Sequence, residues 1–545
     1  WDLVGNNIPV FFIQDAMKFP DLVHAVKMEP DRGFPQAASA HDTFWDFVSL
    51  MPETLHTVMW AMSDRTLPRS LRMMEGFGVH SFRLLNAAGE STFVKFHWRP
   101  KLGIQSTVWD EAVKLQSADN DFHRRDLFES IEAGDFPEWE LSVQLFTDED
   151  AQDFPFDHLD PTKLIPEELI PLQPVGRMVL NRWPDNFFAE TEQVAFCPAN
   201  VPPGIDFSND PLLQGRLFSY LDTQLSRLGG PNFAQIPINA PKCPFHNNQR
   251  DGHMQMQVPK GRVNYEPSSL QADSPRASQA QGFRHFAQAD DGVKGRVRAE
   301  SFADHYSQAR MFYRSQSPLE QAHLASATVF ELSKVGTPHV REAVVGHLQH
   351  VDAELAQRVA DGLGMQALPP APPTVEPVQD LPLSPALRII DRMKPTLQGR
   401  AIGILVADGS NGTSVANLRK ALEKAGATVK IVAPKVGGAV LKDGTLLPAD
   451  GQLAGTPSVV FDAVASILSP DMGAVLAKEA AAVDWFRDAF GHLKAIAACK
   501  GTQAILQAGG IEPDAGVVDP ADVQGFIAAA QTRQWDREPQ VRTLA

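Results

Sequence analysis

The stretch at residues 216–239 reads RLFSYLDTQLSRLGGPNFAQIPIN, and its tyrosine decides how the chain is interpreted. Tyr220 is one of four tyrosines, and it alone has an arginine, Arg216, four residues upstream. In a helix this spacing places the two side chains on one face, one turn apart. A guanidinium favours the ionised form of a neighbouring phenol, and a tyrosinate is one of the side chains that hold haem iron in proteins. By itself, this spacing more often belongs to a partly buried tyrosine with a hydrogen-bonded hydroxyl beside a surface arginine. The surrounding sequence therefore has to distinguish that interpretation from a haem ligand.

The composition is that of a globular protein with several domains. The chain has 545 residues, too many for one core, which indicates about two to four domains. Its formal net charge of −17 argues against a nucleic-acid partner, because a phosphate backbone requires clustered cations. No apolar run has the roughly 18–20 residues of a membrane span, and no signal segment is found at the start. Three widely spaced cysteines, Cys197, Cys243 and Cys499, form neither a disulfide framework nor a zinc pattern and favour a reducing cytoplasm.

Residues 1–196 contain short segments rich in Phe and Val that are separated by turns. The segments 8–14, 78–85 and 92–98 are predicted to be antiparallel strands. A turn around Asn86 makes 78–98 a hairpin candidate. Strands of this kind interrupted by helical stretches predict a β-barrel with helical insertions.

The rest of the chain divides into four parts. Residues 197–300 are rich in Pro, Asn and Gln with little periodicity. Residues 301–365 are predicted to be a helical domain, because helical spacing returns over 317–364. Residues 366–396 form a linker, with seven prolines between 366 and 386. In the last part, 397–545, a buried-strand run at 400–407, a helix at 415–425 and a strand at 428–433 predict a doubly wound α/β domain.

Other stretches match one family in the same order as residues 216–239. They lie at 2–15 (DLVGNNIPVFFIQD), 41–47, 59–65, 75–83, 179–182, 186–190 and 248–252. Over residues 1 to about 270 the chain resembles the haem catalases, and the proline linker with its α/β domain resembles the large-subunit branch. The resemblance implies an α+β fold with an antiparallel β-barrel core, a wrapping segment, a helical domain and a C-terminal flavodoxin-like or amidotransferase-like domain.

The resemblance also implies the activity and the proximal ligand. A member of this family disproportionates hydrogen peroxide to water and dioxygen through a ferryl intermediate, on haem b or a modified, d-type haem. Tyr220 matches the axial ligand of the iron, and Arg216 matches the arginine that keeps it ionised. Arg227, further along the same helix, is a candidate for a haem propionate. The long wrapping segment fits a homotetramer.

A second stretch matches the residues that the family has on the distal side of the haem, where peroxide binds. Asn6 matches the asparagine that hydrogen-bonds peroxide, and Asn7 is its structural neighbour. Phe11 and Phe19 fall where the family lines the haem and its channel, although phenylalanines at such positions are also ordinary core residues. Asp2 matches an acid that lines the channel of the large-subunit branch.

The family's distal histidine is expected upstream of Trp1, since none of the 16 histidines in the chain has the required context. Proton transfer by a positioned side chain contributes about a hundred- to ten-thousandfold to a rate, so little activity is expected of a chain that starts at Trp1. Two alternatives remain open at this point. One is a truncated, non-catalytic haem-binding protein with a role in assembly or sequestration, and the other is an independent, chaperone-like C-terminal domain.

Two departures from the family pattern are found, and two motifs of the C-terminal domain are also weighed. Cys197 stands where some large-subunit members have a histidine that is cross-linked to the axial tyrosine, so no imidazole cross-link is expected. Arg65 and Glu75 occupy positions associated with loss of an NADPH site, and no bound nicotinamide is expected.

Cys499 resembles an amidotransferase nucleophile, but Lys500 stands where the companion histidine is expected, and an inert cysteine is favoured. The glycine loop at 408–414 is interpreted as an ordinary βα turn rather than a phosphate site.

Overall fold

The computed structural model describes residues 2–36, 38–242, 249–271, 282–289, 292, 295 and 297–542. Trp1, Cys243 and Asn248, which were considered above, lie outside these residues. The chain divides into two compact units. Unit 1 consists of Trp1–Met62, Glu75–Arg99 and Trp139–Leu387. Unit 2 consists of Ser63–Met74, Pro100–Glu138 and Arg388–Ala545.

Helices occur in both units, and none in the described residues is long and apolar enough to cross a membrane. In chain order the α-helices of these residues are α1 (Phe19–Val26), α2 (Asp42–Leu50), α3 (Leu55–Ala61), α4 (Trp109–Ala118), α5 (Phe122–Glu132), α6 (Asp148–Gln152), α7 (Pro211–Leu228), α8 (Ser307–Ser315), α9 (Pro318–Leu332), α10 (Pro338–Val351), α11 (Ala353–Gly362), α12 (Gly412–Lys424), α13 (Pro470–Leu476), α14 (Ala480–Gly491), α15 (Gln503–Ala508), α16 (Val523–Ala530) and α17 (Glu538–Val541).

The strands belong to one main sheet in each unit and a short two-stranded ribbon. They are β1 (Gly76–Phe77), β2 (Phe82–Leu85), β3 (Ser91–Pro100), β4 (Glu138–Phe146), β5 (Gln173–Val179), β6 (Ile205–Phe207), β7 (Ala401–Val406), β8 (Thr428–Ala433), β9 (Ala439–Val440), β10 (Leu446–Leu447), β11 (Gly451–Gln452), β12 (Ala463–Ile467), β13 (Ile496–Ala497) and β14 (Val517–Val518).

The sheet of unit 1 has the strand order β5-β4-β3-β2-β6, and β1 pairs with β3. β3 runs antiparallel to both β1 and β2, which confirms the hairpin predicted around Asn86. The predicted strand at 8–14 is wrong. Pro9 has no N–H to give to a ladder, and the N–H of Phe11 donates to the Pro161 carbonyl instead. In the described residues the sheet keeps two edges, β5 and β6, so the predicted barrel is not closed there.

One face of this sheet packs on helix α7. By strand alternation Val94 and Phe96 lie on the same face, and they form a buried cluster with Phe82 and with Leu213 of α7. The remaining helices of unit 1 include the group α8–α11, in which α10 contacts α2, α8 and α11. The helical spacing predicted for residues 317–364 is therefore confirmed. The cluster around Leu213 fixes α7 against the sheet.

Unit 2 is built on a parallel sheet with the order β11-β8-β7-β12-β13-β14. The predicted strand at 428–433 matches β8, and the predicted run at 400–407 contains β7. Buried aliphatic residues of β7 alternate between the two faces: Ile404 packs in the cluster with α12 and α16, and Leu405 packs in the cluster with α14 and α15. The sheet is therefore covered by helices on both faces, as a doubly wound domain requires.

Candidate functional site

Helix α7 carries the predicted proximal residues, and its ends are set by local sequence. Asp210 is the N-cap, and its Oδ1 accepts from the backbone N–H groups of Leu212 at 2.8 Å and Leu213 at 3.1 Å. Pro211 follows at the first helical position, where its missing N–H costs nothing. Gly229 ends the helix in the left-handed conformation at φ +79°. The helix is therefore anchored at the end from which Arg216 and Tyr220 follow.

The structure brings Arg216 and Tyr220 together on one face of α7. Arg216 Nη2 donates to the Tyr220 hydroxyl at 2.7 Å, and it also donates to the Val4 carbonyl at 2.8 Å. The guanidinium carbon lies 5.2 Å from the centre of the Tyr220 ring. Both side chains are half-buried. The phenol oxygen is thus held in place by a cationic donor, and a tyrosine oxygen is one of the ligands that hold haem iron in proteins.

The segment with the predicted distal residues lies directly against this helix. A Cβ on Gly215 would come within 2.2 Å of the Ala16 Cβ, so only glycine permits the observed approach. Ile13 and Leu212 are buried in one cluster, which also includes the half-buried Phe11. Together with the Arg216–Val4 bond, these contacts hold residues 2–16 along α7.

Hydrogen bonds fix the backbone and the side-chain oxygen of Asn6. Its backbone pairs with Phe77 through two hydrogen bonds of 2.8 and 2.7 Å. Its Oδ1 accepts from the backbone N–H of Asn7 at 2.8 Å, which orients the amide. The Nδ2 group donates to no partner among the described residues. Asn6 therefore presents two N–H donors on a rigid backbone.

The predicted phenylalanines differ in their surroundings. Phe11 is half-buried and packs edge-on against Phe12, with ring centres 5.7 Å apart. The two rings line an apolar cavity of about 600 Å³ together with Leu22 and Val26 of α1. Phe19, the first residue of α1, is 48% exposed and does not line this cavity. The structure therefore joins Phe11 but not Phe19 to a cavity.

Arg227 donates hydrogen bonds to two neighbouring backbone carbonyls and to a side chain of its own helix. Its Nη1 donates to the Glu192 carbonyl at 2.7 Å, its Nη2 to the Val194 carbonyl, and its Nε to Gln224 at 3.0 Å. These bonds tie the segment around residue 193 to the end of α7. A haem propionate would have to compete with them for this guanidinium.

The structure places His80, which lies in the matched stretch 75–83, against the start of helix α7. His80 Nδ1 lies 2.5 Å from Asp210 Oδ2, and both residues are almost fully buried. Burial lowers the pKa of His80, Asp210 opposes this, and the positive charges of Arg216 and Lys95 lower it further. The Asp-Pro pair at 210–211 is a helix-start signal that could have located Asp210 in the sequence. His80, which pairs with this carboxylate, is 130 residues away in sequence, and no local sequence pattern predicts the pairing.

The remaining candidates have ordinary structural surroundings. Asp2 Oδ2 accepts from the Cys197 N–H at 3.1 Å and from Asn200 at 2.7 Å. The Cys197 thiol is buried, which raises its pKa, and it lies 3.8 Å from the Leu217 carbonyl. In unit 2, the Cys499 sulfur is held between the N–H and the carbonyl of Leu468, at 3.2 and 3.3 Å.

Comparison with protein families gives three adjoining matches along the chain. Residues 1–272 match the model of the family described as catalase. Residues 299–363 match a catalase-related immune-responsive domain, and residues 398–539 match a C-terminal domain found in long catalases.

Similar proteins cover almost the whole chain. Catalase C of Rhizobium meliloti (strain 1021) is 57% identical over 549 aligned residues, which span 99% of this chain and 78% of that protein. Catalase HPII of Pseudomonas putida is 52% identical over 99% of this chain and 76% of its own length. Catalase-2 of Bacillus subtilis (strain 168) is 49% identical over 98% of this chain and 79% of its own length.

Proposed function

Because this chain belongs to the catalase family, we propose that it disproportionates hydrogen peroxide at a haem group that Tyr220 holds. It is a haem catalase of the long type, since catalases match it from end to end at about half identity. This full-length match does not favour the alternative of a non-catalytic haem-binding protein. The hydrogen bond from Arg216 Nη2 to the Tyr220 hydroxyl, at 2.7 Å, is the observation that carries the assignment of the ligand.

The donor set of α7 fits haem. A phenol oxygen that receives a charged hydrogen bond is a hard, anionic donor, and such a tyrosinate is a known axial ligand of haem iron. The chemistry that haem supplies when bound is the redox cycle between two peroxide molecules. Tyr220 would hold the haem iron through its oxygen, and Arg216 would orient that oxygen through the hydrogen bond from Nη2. The Asp210 cap and the His80 ring hold the helix that presents both residues.

On the distal side we assign peroxide binding to Asn6. The N–H of Asn7 orients the Asn6 amide oxygen at 2.8 Å, which leaves the two N–H groups of Nδ2 available as donors. A peroxide oxygen is an acceptor that these groups suit. We assign Phe11 to the apolar lining of the haem and its channel, through the cavity that it shares with Phe12. Phe19 is assigned to the channel wall and Arg227 to a haem propionate.

We also propose the type of haem and the absence of bound nicotinamide. Cys197 is a thiol 3.8 Å from the Leu217 carbonyl, and it has no imidazole to cross-link. We therefore propose haem b or a d-type haem without that cross-link. Glu75 lies near Arg99, which also pairs with Glu167. Two carboxylates at this place would repel nucleotide phosphates, which supports a catalase without NADPH.

We further propose a homotetramer, a barrel-type core and a cytoplasmic location. Helix α7 exposes an apolar stripe of Phe218, Leu221 and Leu225, which are 68%, 44% and 45% exposed. A stripe of this kind supports burial against another copy of the chain. The free thiols of Cys197 and Cys499 support a reducing compartment.

The activity is tested with purified, haem-loaded protein. Dioxygen evolution from hydrogen peroxide, with an absorption spectrum of tyrosinate-ligated haem, is the expected result. A protein that binds haem and shows this spectrum but evolves no dioxygen would contradict the assignment as an enzyme.

A further inference from the structure

Lys95 is a buried lysine that the proposed site does not use. It lies on β3 with 5% of its surface exposed, and its Nζ donates to the Val79 carbonyl at 2.9 Å. In the described part of the chain no carboxylate lies within ion-pair distance of this ammonium. Burial lowers the pKa of Lys95 to about 8, although Asp210 and Asp160 act against this. A buried charge with one carbonyl as its partner is costly, so its position calls for a functional reason.

The carbonyl that Lys95 holds belongs to a strained residue. Val79 has φ +66°, a conformation that a β-branched side chain rarely adopts. The His80 N–H donates to the Gly78 carbonyl at 2.8 Å, so residues 78–80 form a γ-turn of the strained kind. This turn separates β1 from β2 and lies opposite β3, where the Gly78 N–H donates to the Phe96 carbonyl at 2.9 Å. Strain of this kind persists only where neighbours enforce it.

The turn is connected to the candidate site through two further residues. It aims the His80 ring at Asp210, with Nδ1 and Oδ2 2.5 Å apart. Asp210 in turn caps helix α7 through the N–H groups of Leu212 and Leu213. The start of this helix therefore depends on the direction of a ring that the turn at Val79 sets.

We propose that Lys95 is a positioning residue for the Arg216–Tyr220 pair. By holding the Val79 carbonyl it fixes the turn that aims His80 at Asp210, and thereby fixes the start of α7. The role at the haem rests on the proposed function of Tyr220, whereas the effect on α7 does not depend on it.

Hydrogen exchange measured by mass spectrometry on the full chain without haem tests the proposal. In Lys95→Met we expect the peptides that cover 78–85 and 210–216 to exchange about tenfold faster, as local loosening of the turn and the cap requires. Val79→Gly removes the strain, because glycine adopts positive φ freely. In Lys95→Met/Val79→Gly the loss of protection at 210–216 should therefore be clearly smaller than the sum of the two single effects.

Lys163→Met is the matched control. Lys163 is also buried, at 3% exposure, but its ammonium bonds to Asp160 and to the Asp304 carbonyl, neither of which belongs to α7 or to the turn at Val79. We expect it to leave exchange at 210–216 unchanged. Unchanged exchange there in Lys95→Met, an equal effect of Lys163→Met, or strictly additive effects of the Lys95 and Val79 substitutions would each overturn the proposal.

Two further results keep the test decisive. If Lys95→Met does not fold, rescue of folding by Val79→Gly supports the proposal, and absence of rescue contradicts it. In the haem-loaded protein, Lys95→Met should shift the tyrosinate absorption of the haem, and Lys163→Met should not. Hydrogen exchange is measured without haem, so it does not depend on the role of Tyr220. If Tyr220 does not bind haem, the predicted exchange pattern should still be found, but no variant should show a tyrosinate spectrum.

Discussion

One nitrogen of Arg216 donates both to the Tyr220 hydroxyl at 2.7 Å and to the Val4 carbonyl at 2.8 Å. Val4 lies two residues before Asn6, so a single guanidinium joins helix α7 to the segment that carries Asn6. A change at this arginine is therefore expected to affect both sides of the site.

Arg216→Met should weaken tyrosinate ligation. The substitution removes the charge and both hydrogen bonds, and a hydrogen bond to a charged group is worth about 1.5–3 kcal/mol. Spectra of the haem-loaded variant should show a weaker tyrosinate signature than those of the unaltered protein. Arg419→Met is the matched control, because Arg419 is also a helical arginine paired four residues on, with Glu423 at 2.8 Å. An equal loss in both variants would contradict the assignment.

Gly215→Ala should push the distal segment away from α7. The new Cβ would lie 2.2 Å from the Ala16 Cβ, and overpacking of this kind costs about 1–3 kcal/mol. We expect a lower unfolding midpoint and poorer retention of haem. Gly491→Ala, in helix α14, meets no atom within 4 Å and should change neither quantity. Normal retention of haem in Gly215→Ala would argue against the close approach.

His56 should make unit 1 sensitive to acid. It is almost fully buried, its Nδ1 donates to the Thr162 carbonyl at 2.8 Å, and its Nε2 accepts from Trp60 at 3.1 Å. Burial lowers the pKa of His56 from 6.5 to about 4. Since the unfolded chain takes up the proton first, the free energy of unfolding should fall as pH drops from 6.5 towards 4, by about 3 kcal/mol for this residue.

The measurement for His56 is the thermal unfolding midpoint as a function of pH. His56→Gln should flatten the decline between these pH values, whereas His339→Gln, at an exposed position, should leave it unchanged. If His56→Gln keeps the full decline, the acid sensitivity arises elsewhere.

Glu111 should be essential to unit 2. Its carboxylate lies 2.9 Å from Lys494 and 2.8 Å from Arg533, and these two cations lower the pKa of Glu111 to about 2 against its burial. Because this pKa is depressed, the stabilisation is present above about pH 4.5 and is lost as pH falls towards 2. Glu111→Gln leaves Lys494 buried without its counter-ion, which costs about 3–5 kcal/mol. Denaturant unfolding should show this loss but none for the exposed Glu132→Gln.

Sequence reasoning located local elements well and non-local pairing poorly. The hairpin of β2 and β3, the strand β8 and the helices of residues 317–364 follow from periodicity and turn residues. The strand expected at 8–14 failed because its apolar pattern is satisfied by packing against α7 rather than by a ladder. Unit 2 combines Pro100–Glu138 with the C-terminal part of the chain. Buried pairs stabilise it, such as Arg69 with Asp462, which are 393 residues apart in sequence. No local pattern encodes such a pair.

The candidate site shows the same division. Arg216 and Tyr220 are one helical turn apart, and their contact could be predicted from spacing. The bond of Arg216 to Val4 and the contact of Gly215 with Ala16 join segments about 200 residues apart, so only the structure shows them. His80 looked like an ordinary buried histidine, and its direction depends on the positive φ of Val79, which nothing in the sequence indicates.

Resonance Raman spectroscopy of the haem-loaded protein tests most directly whether the Tyr220 oxygen would hold the haem iron. We predict iron–tyrosinate bands in the unaltered protein and in Tyr265→Phe, whose tyrosine is 48% exposed. The same bands should be absent in Tyr220→Phe. Iron–tyrosinate bands that persist in Tyr220→Phe would contradict the account.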